Sequence, residues 1–195
     1  MTAEGKEAYA EAARVLCGGG VVIIPTDTVY GIAAHPGCAD AVERIRMIKG
    51  RPTGKPIALL AADMEAVRAF GATLPPAAKR LAGAFWPGAL TLVLPCGGIE
   101  EGFRVPDHDA ARGLLAACGG TLRVTSANLS GAMPAVNAVE ALRDVGLEAD
   151  LVIDGGICPG GVASSVVRVG ADGAVTILRD GAIPTEEILR VAEEV

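Results

Sequence analysis

Val21-Val22-Ile23-Ile24, followed at once by Pro25-Thr26-Asp27-Thr28-Val29-Tyr30-Gly31, constrains this chain more than any other segment. Four β-branched residues in a row, with no polar alternation, read as a strand buried on both faces, and such strands belong to α/β sheets. Those sheets bind ligands in the crevice outside their strand ends. The loop that leaves this strand offers the Thr26 and Thr28 hydroxyls, the Asp27 carboxylate, the Tyr30 phenol and a conformationally permissive Gly31. A second reading stays open at this point, a turn in which Thr or Asp only satisfies exposed backbone.

The core that covers such a strand must be aliphatic, because 51% of the 195 residues are hydrophobic but only 3% are aromatic. A chain of this length buries roughly 70% of its unfolded surface, so residues 1–195 read as a single domain. No apolar run is long enough to span a bilayer, and the first residues lack a charged-then-apolar secretion pattern, so a cytoplasmic, non-membrane protein is the expectation. A net charge of −6 disfavours polyanion binding by the surface as a whole, while leaving room for a local basic cleft. Cys17, Cys38, Cys96, Cys118 and Cys158 are scattered and odd in number, with no Cys-x-x-Cys pair; buried reduced thiols are the expectation. His35 and His108 share no metal-ligand spacing and read as loop or surface residues.

Helix-like and strand-like segments alternate along the chain without a repeat. Helices are predicted over about 3–17, 40–49, 63–70 (capped by Asp63), 75–85, 107–118 (capped by Asp107), from Asn137 with Glu140 as a capping box, and from Thr185. Strands are predicted at 21–24, 57–60, 90–94, 103–105, 121–125, 151–153, 164–169 and 174–178, the last two joined by a Gly170–Gly173 hairpin turn. The fold class that follows is α/β, one twisted sheet of mixed parallel and antiparallel strands flanked by helices around a concave cleft. Gly18-Gly19-Gly20 precedes a strand instead of following one, and no Gly-x-x-x-x-Gly-Lys-Ser/Thr occurs, so a P-loop nucleotide site is not supported.

Charge placement carries the chemistry. Lysine is scarce (Lys6, Lys49, Lys55, Lys79), yet two of the four fall in Lys49-Gly50-Arg51-Pro52-Thr53-Gly54-Lys55-Pro56. A helix ending at Lys49, with Arg51 and Lys55 on the following Gly/Pro loop, can close three cations around an anion such as a triphosphate; the alternative is that they only complement a helix C-terminus. A second polar loop, Thr125-Ser126-Ala127-Asn128-Leu129-Ser130-Gly131, again follows an apolar strand, and in extended chain Ser126 and Asn128 point the same way. Its alternative is a capped helix entry. Ser164 and Arg179 add polar groups near the chain end. No Gly-x-Ser-x-Gly elbow or Ser/His/Asp order supports nucleophilic hydrolysis.

Taken together, Pro25–Gly31, Lys49-x-Arg51-Pro52 with Lys55-Pro56, Trp86-Pro87-Gly88-Ala89-Leu90-Thr91, Arg104-Val105-Pro106, Ser126–Gly131 and Ser164-Ser165 resemble, in order, the motifs of the YrdC-type threonylcarbamoyl-adenylate synthases. The resemblance spans about Gly20 to Arg179 and, with the chain stopping soon after, is to the short single-domain form. It implies a nucleotidyltransferase that makes threonylcarbamoyl-AMP and pyrophosphate from L-threonine, bicarbonate or CO2, and ATP, for N6-threonylcarbamoyl modification of adenosine 37 in tRNA by separate transferase proteins. It further implies that Lys49 and Arg51 act at the ATP phosphates and in catalysis. Ser126, Asn128 and Arg179 contact the nucleotide, while Thr26, Arg104 and Ser164 contact threonine, Arg104 at its carboxylate. Magnesium is implied on the phosphates, with no protein ligand assigned; Asp27 is a candidate to order its waters, with loop-shaping as the alternative. Three departures stand out: Leu60 where some relatives carry a threonine-contacting His, a shortened Cys96–Phe103 stretch, and Met133-Pro134-Ala135 in place of a Ser-containing segment. The alternative functions are an RNA-binding module with a basic cleft, and carbamate adenylation on another substrate such as carbamoyl phosphate.

Overall fold

The all-β-branched strand β2 (Val21–Ile24) is buried at every position, and its residues divide alternately between two hydrophobic clusters. Val21 and Ile23 pack under α2 (Ala39–Lys49) and α6 (Ala138–Val145), through Ala41, Ile45, Ile48, Ala141 and Val145. Val22 and Ile24 pack under α1 (Gly5–Cys17) and α5 (Asp109–Ala117), through Ala12, Leu16, Leu114 and Leu115. The period of two along a strand thus explains why this segment shows no polar alternation. The computed structural model describes residues 2–3 and 5–193, with side chains from Glu7 onward.

Further strands are β1 (Thr2–Ala3), β3 (Gly31–Ala34), β4 (Leu59–Ala61), β5 (Leu90–Cys96), β6 (Ile99–Arg104), β7 (Thr121–Ser126), β8 (Leu151–Ile153), β9 (Ser165–Val169) and β10 (Val175–Arg179). All ten form one mixed sheet in the order β1-β8-β2-β3-β7-β4-β6-β5-β9-β10. In the second half of the sheet one face is covered by helices. There Leu59, Leu90, Leu92, Leu94, Phe103 and Val167 pack against α3 (Met64–Ala69), α4 (Pro76–Phe85) and α7 (Thr185–Glu193). The alternate residues of the same strands, Leu60, Thr91, Val93, Gly102, Arg104 and Val166, turn instead to a cleft of about 570 Å³. One sheet therefore supplies a closed core at one end and an open floor at the other.

Several predicted boundaries change. The first helix begins at Gly5, since Thr2–Ala3 pairs with β8. Strand β3 was not predicted: Gly-Ile-Ala-Ala carries little strand preference, and its pairing with both β2 and β7 makes it one. The strand predicted at 57–60 forms over Leu59–Ala61, and the one at 103–105 is the end of a longer β6. The shortened 96–103 stretch is a two-residue hairpin in which Gly97 and Gly98 both have positive φ (57° and 87°), the backbone a tight turn between right-twisted strands requires. His108, not Asp107, caps α5, its Nδ1 accepting the Ala111 N–H at 3.1 Å. Asp63 and Asn137 cap as predicted, and Gly170–Gly173 turns between β9 and β10. Thr185 is the first residue of α7, with its hydroxyl donating to Asp180. Cys96, Cys118 and Cys158 are buried, but Cys17 is exposed at the end of α1.

Candidate active site

Pairing between β3 and β7 brings the two polar loops together. Gly31 lies opposite Ser126, the Ala127 N–H donates to the Tyr30 carbonyl at 2.7 Å, and the Tyr30 N–H donates to the Ala135 carbonyl at 2.8 Å. Ala135, in the segment that departs from the family's pattern, is thus a backbone tie between loops. The Tyr30 ring is buried and its phenol leaves the cleft, donating to the Gly156 carbonyl at 2.7 Å; burial pushes its pKa up to about 12.

One end of the cleft is a closed network around Arg104, at the end of β6. Its Nε donates to the Gly88 carbonyl (2.9 Å), its Nη1 to the Thr28 hydroxyl (2.8 Å) and its Nη2 to Asp27 (2.5 Å). Burial lowers its pKa and the Asp27 carboxylate opposes that shift. Two of the five guanidinium N–H groups are left for a ligand. Thr26 donates to the Val29 carbonyl at 2.7 Å and accepts from the N–H groups of Thr28 and Val29, so its hydroxyl shapes the loop as well as lining the cleft. Ser164 immediately precedes β9, where its hydroxyl is 2.8 Å from that of Thr91. Its carbonyl accepts from Arg179 Nε and Nη2 (3.2 and 2.6 Å), and its hydroxyl accepts from the same Nη2 at 3.2 Å. This close crossing needs Gly181: a Cβ there would lie 2.3 Å from the Ser165 nitrogen.

The other end is built from the C-terminus of α2. Gly50, at φ 58°, ends the helix and turns the chain into the Gly/Pro loop. Lys49 is only 2% exposed, and its Nζ donates to the carbonyls of Ser126 and Asn128. Its own carbonyl accepts from Ser130 N–H at 2.9 Å, so Lys49 holds the second polar loop at both ends of its side chain and backbone. Burial lowers its pKa from 10.5 to about 8, assisted by the Arg51 and Lys55 charges. Arg51 donates to the Lys55 and Pro56 carbonyls (3.2 and 2.6 Å), and burial with the nearby Arg46 and Arg179 charges lowers its pKa. The Asn128 amide donates to the Leu129 and Ala132 carbonyls and so bends its own loop.

All eight site residues named from sequence therefore line this one cleft. Sequence reasoning noted Thr28 and Thr91 within their motifs but gave neither a role; Thr28 completes the Arg104 network. The signals for Thr91 were its place at the end of the Trp86–Thr91 motif and a lone hydroxyl in Leu90-Thr91-Leu92-Val93-Leu94. Asp27, a candidate for ordering magnesium waters or shaping the loop, pairs through its Oδ1 with Arg104. Among the described residues, no group of three or more His, Cys, Asp or Glu side chains could hold a metal ion. Leu60 makes that part of the cleft floor apolar. No helix of the described residues is long and apolar enough to cross a membrane.

Residues 14–181 match the Sua5/YciO/YrdC family, described as telomere recombination. The chain is 37% identical over 190 residues to a threonylcarbamoyl-AMP synthase of Bacillus subtilis, a match covering 92% of this chain and 55% of that protein. It is 37% identical over 174 residues to a threonylcarbamoyl-AMP synthase of Halorhodospira halophila, covering 84% of this chain and 90% of that one. The crystal structure of Pyrococcus abyssi Sua5 complexed with L-threonine superposes with a TM-score of 0.90 at 32% identity, covering all of this chain and 61% of that one. The chain thus spans little more than half the length of the Bacillus and Pyrococcus proteins.

Proposed function

This chain belongs to the Sua5/YciO/YrdC family, and we propose that it is an L-threonylcarbamoyladenylate synthase, a nucleotidyltransferase. Its reaction joins L-threonine, bicarbonate or CO2, and ATP into threonylcarbamoyl-AMP with release of pyrophosphate. The observation that carries this reading is the division of charge along the cleft. Lys49, Arg51, Lys55 and Arg179 line it without a carboxylate partner among the described residues, whereas Arg104 is neutralised by Asp27. On a chain of net charge −6, four unneutralised cations in one cleft suit a polyanion such as a triphosphate. The neutral Arg104–Asp27 end, rimmed by hydroxyls, suits a zwitterion such as a free amino acid.

The chemistry asks for little more. The threonine amine attacks CO2 to give a carbamate, and a carbamate oxygen then attacks the α-phosphorus of ATP as pyrophosphate leaves. Charge accumulates on phosphate oxygens, so preorganised cations and donors stabilise the transition state and no protein nucleophile is required. Arg51, Arg179 and the Ser126 hydroxyl act on that side. Arg104, Thr26 and Ser164 hold the amino acid. Magnesium enters with ATP, held by phosphate oxygens and water, as an ion that keeps several waters does. The product goes on to modify adenosine 37 of tRNA in the cytoplasm through separate transferase proteins.

Purified protein with ATP and magnesium is expected to release pyrophosphate and form an AMP-linked product only when threonine and bicarbonate are both supplied. Threonine-independent pyrophosphate release, or turnover with carbamoyl phosphate in place of threonine and bicarbonate, would sink the assignment.

A further inference from the structure

Two residues at the amino-acid end are held by one short segment. Gly88 takes the Arg104 Nε–H on its carbonyl and gives its own N–H to Val105 at 2.8 Å; the Ala89 carbonyl accepts the Ser165 N–H at 3.0 Å. The same segment ends in Thr91, whose hydroxyl meets that of Ser164 at 2.8 Å. Gly88–Thr91 is thus a bracket between the end of β6 and the start of β9.

The hydroxyl pair leaves a proton unspent. Each hydroxyl has one hydrogen to donate, and one of the two is consumed in the bond between them. Ser164 Oγ is otherwise only an acceptor, from Arg179, and Thr91 Oγ1 has no other partner among the described residues. One O–H donor therefore remains, at a site where both residues are 6% exposed and both line the cleft. A buried donor without an acceptor is costly, and a ligand oxygen relieves it. Thr91 also belongs to the floor: the β5–β6 register that sets Leu92 opposite Phe103 puts it beside Arg104 on the same face.

We propose that Thr91 is a positioning residue for the amino-acid substrate, its hydroxyl orienting that of Ser164 so that the pair presents one O–H donor to a substrate oxygen beside Arg104. The inference rests on the amino-acid reading of this end of the cleft. It makes Thr91, which the sequence left without a role, a determinant of amino-acid affinity and not of nucleotide affinity.

Thr91→Val keeps the β-branched shape and removes the hydroxyl, while Thr91→Ser keeps the hydroxyl and removes a methyl. Calorimetric titration of the full chain with L-threonine and, separately, with ATP and magnesium distinguishes the roles. Thr91→Val is expected to weaken threonine binding roughly five- to tenfold, as loss of one neutral hydrogen bond does, with ATP affinity within about twofold of the parent. Thr91→Ser is expected to bind threonine within about twofold of the parent. Unchanged threonine affinity in Thr91→Val overturns the proposal. So does a Thr91→Ser variant as weak as Thr91→Val, which would make the role one of packing, or equal weakening for both ligands, which would assign the pair to Arg179. A parent protein that binds ATP but not threonine overturns the amino-acid reading itself, and the Thr91 role with it.

Discussion

The two ends of the cleft hold their cations in opposite ways. At the end proposed for the amino acid Arg104 is fixed by a carboxylate, a hydroxyl and a carbonyl contributed by two separate segments, the Asp27–Thr28 loop and Gly88. At the end proposed for the phosphates Lys49 and Arg51 are fixed by neutral carbonyl oxygens, those of the main chain and, for Lys49, also the Asn128 side-chain amide at 3.5 Å, and Lys55 stands exposed on the Gly/Pro loop. A carboxylate cancels a charge, whereas a carbonyl dipole orients the group and leaves its net charge for a ligand. One end is therefore preassembled and neutral, the other oriented and positive, and substitutions should separate the two by whether they harm folding or turnover.

Removing Arg104 gives the largest expected loss of stability. Its side chain is 7% exposed and that of Asp27 is 12% exposed, so Arg104→Ala strands a nearly buried carboxylate. Breaking one side of such a pair costs about 3–5 kcal/mol, to be read by urea unfolding. Arg104→Met with Asp27→Asn should recover much of that stability without recovering activity. An Arg104→Ala protein as stable as its parent would break the comparison, leaving the amino-acid end no more preassembled than the other. Arg104→Lys, which keeps the charge but loses the planar fork, should raise the threonine requirement more than that for ATP.

At the phosphate end the loss falls on turnover. Lys49→Ala and Arg51→Ala are each expected to cut it by a factor on the order of a hundred or more, as loss of one preorganised donor to developing charge does. Arg51→Ala should melt close to the parent, because its partners are the carbonyls of a short exposed loop. Lys49→Ala should unfold somewhat more easily than Arg51→Ala, since it releases the Ser126 and Asn128 carbonyls. Steady-state rates alongside thermal melts check both. Cooperative melting lost in Arg51→Ala would make this end structural.

What could be read from sequence follows the range of the interaction that makes it. The buried run Val21–Ile24 and the caps at Asp63 and Asn137 are written within a few residues and were legible. Lys49 and Arg51 were legible as a cluster for the same reason, but not the carbonyls that Lys49 grips, which lie 77 and 79 residues away. Asp27 and Arg104 are 77 residues apart, and nothing local to either marks them as a pair. Asp27, read from sequence as a candidate for magnesium waters or for shaping the loop, has its Oδ1 paired with Arg104. The Tyr30 phenol of the same loop is likewise held by a distant partner, the Gly156 carbonyl. Strand β3 was invisible because Gly31–Ala34 acquires strand geometry from two neighbours and not from its own preferences.

The buried ammonium of Lys49 gives the comparison a pH signature. Its pKa of about 8 in the folded chain lies below the 10.5 of an unperturbed lysine, with burial as the main cause. Burying the charged form therefore costs stability in full below about pH 8. That cost is relieved between about 8 and 10.5, where the unfolded chain binds more protons, so this group makes stability rise with pH across that window. Nucleotide affinity should run the other way and fall above about pH 8 as the ammonium is lost, while threonine affinity, served by Arg104, stays level until the amino acid itself titrates. Parallel binding titrations from pH 6.5 to 9 check this, and a threonine affinity that falls with that of the nucleotide would merge the two ends.

The smallest effect belongs to Lys55. It lines the cleft but is exposed, and it pairs with no carboxylate among the described residues. Its Coulomb attraction for a polyphosphate acts through solvent, where an exposed charge pair is worth about 0.2–1 kcal/mol and is screened over roughly 8–10 Å at physiological salt. Lys55→Ala should accordingly raise the apparent Michaelis constant for ATP only a few-fold at low salt, leave that for threonine unchanged, and become indistinguishable from the parent near 0.5 M salt. Arg51→Ala should keep most of its defect at the same salt, because its half-buried guanidinium is oriented by carbonyls that salt does not compete for. A Lys55→Ala defect as large as that of Arg51→Ala and equally resistant to salt would mean that the Gly/Pro loop folds inward over the nucleotide and desolvates Lys55, so that the phosphate end is also assembled, but only with its ligand in place.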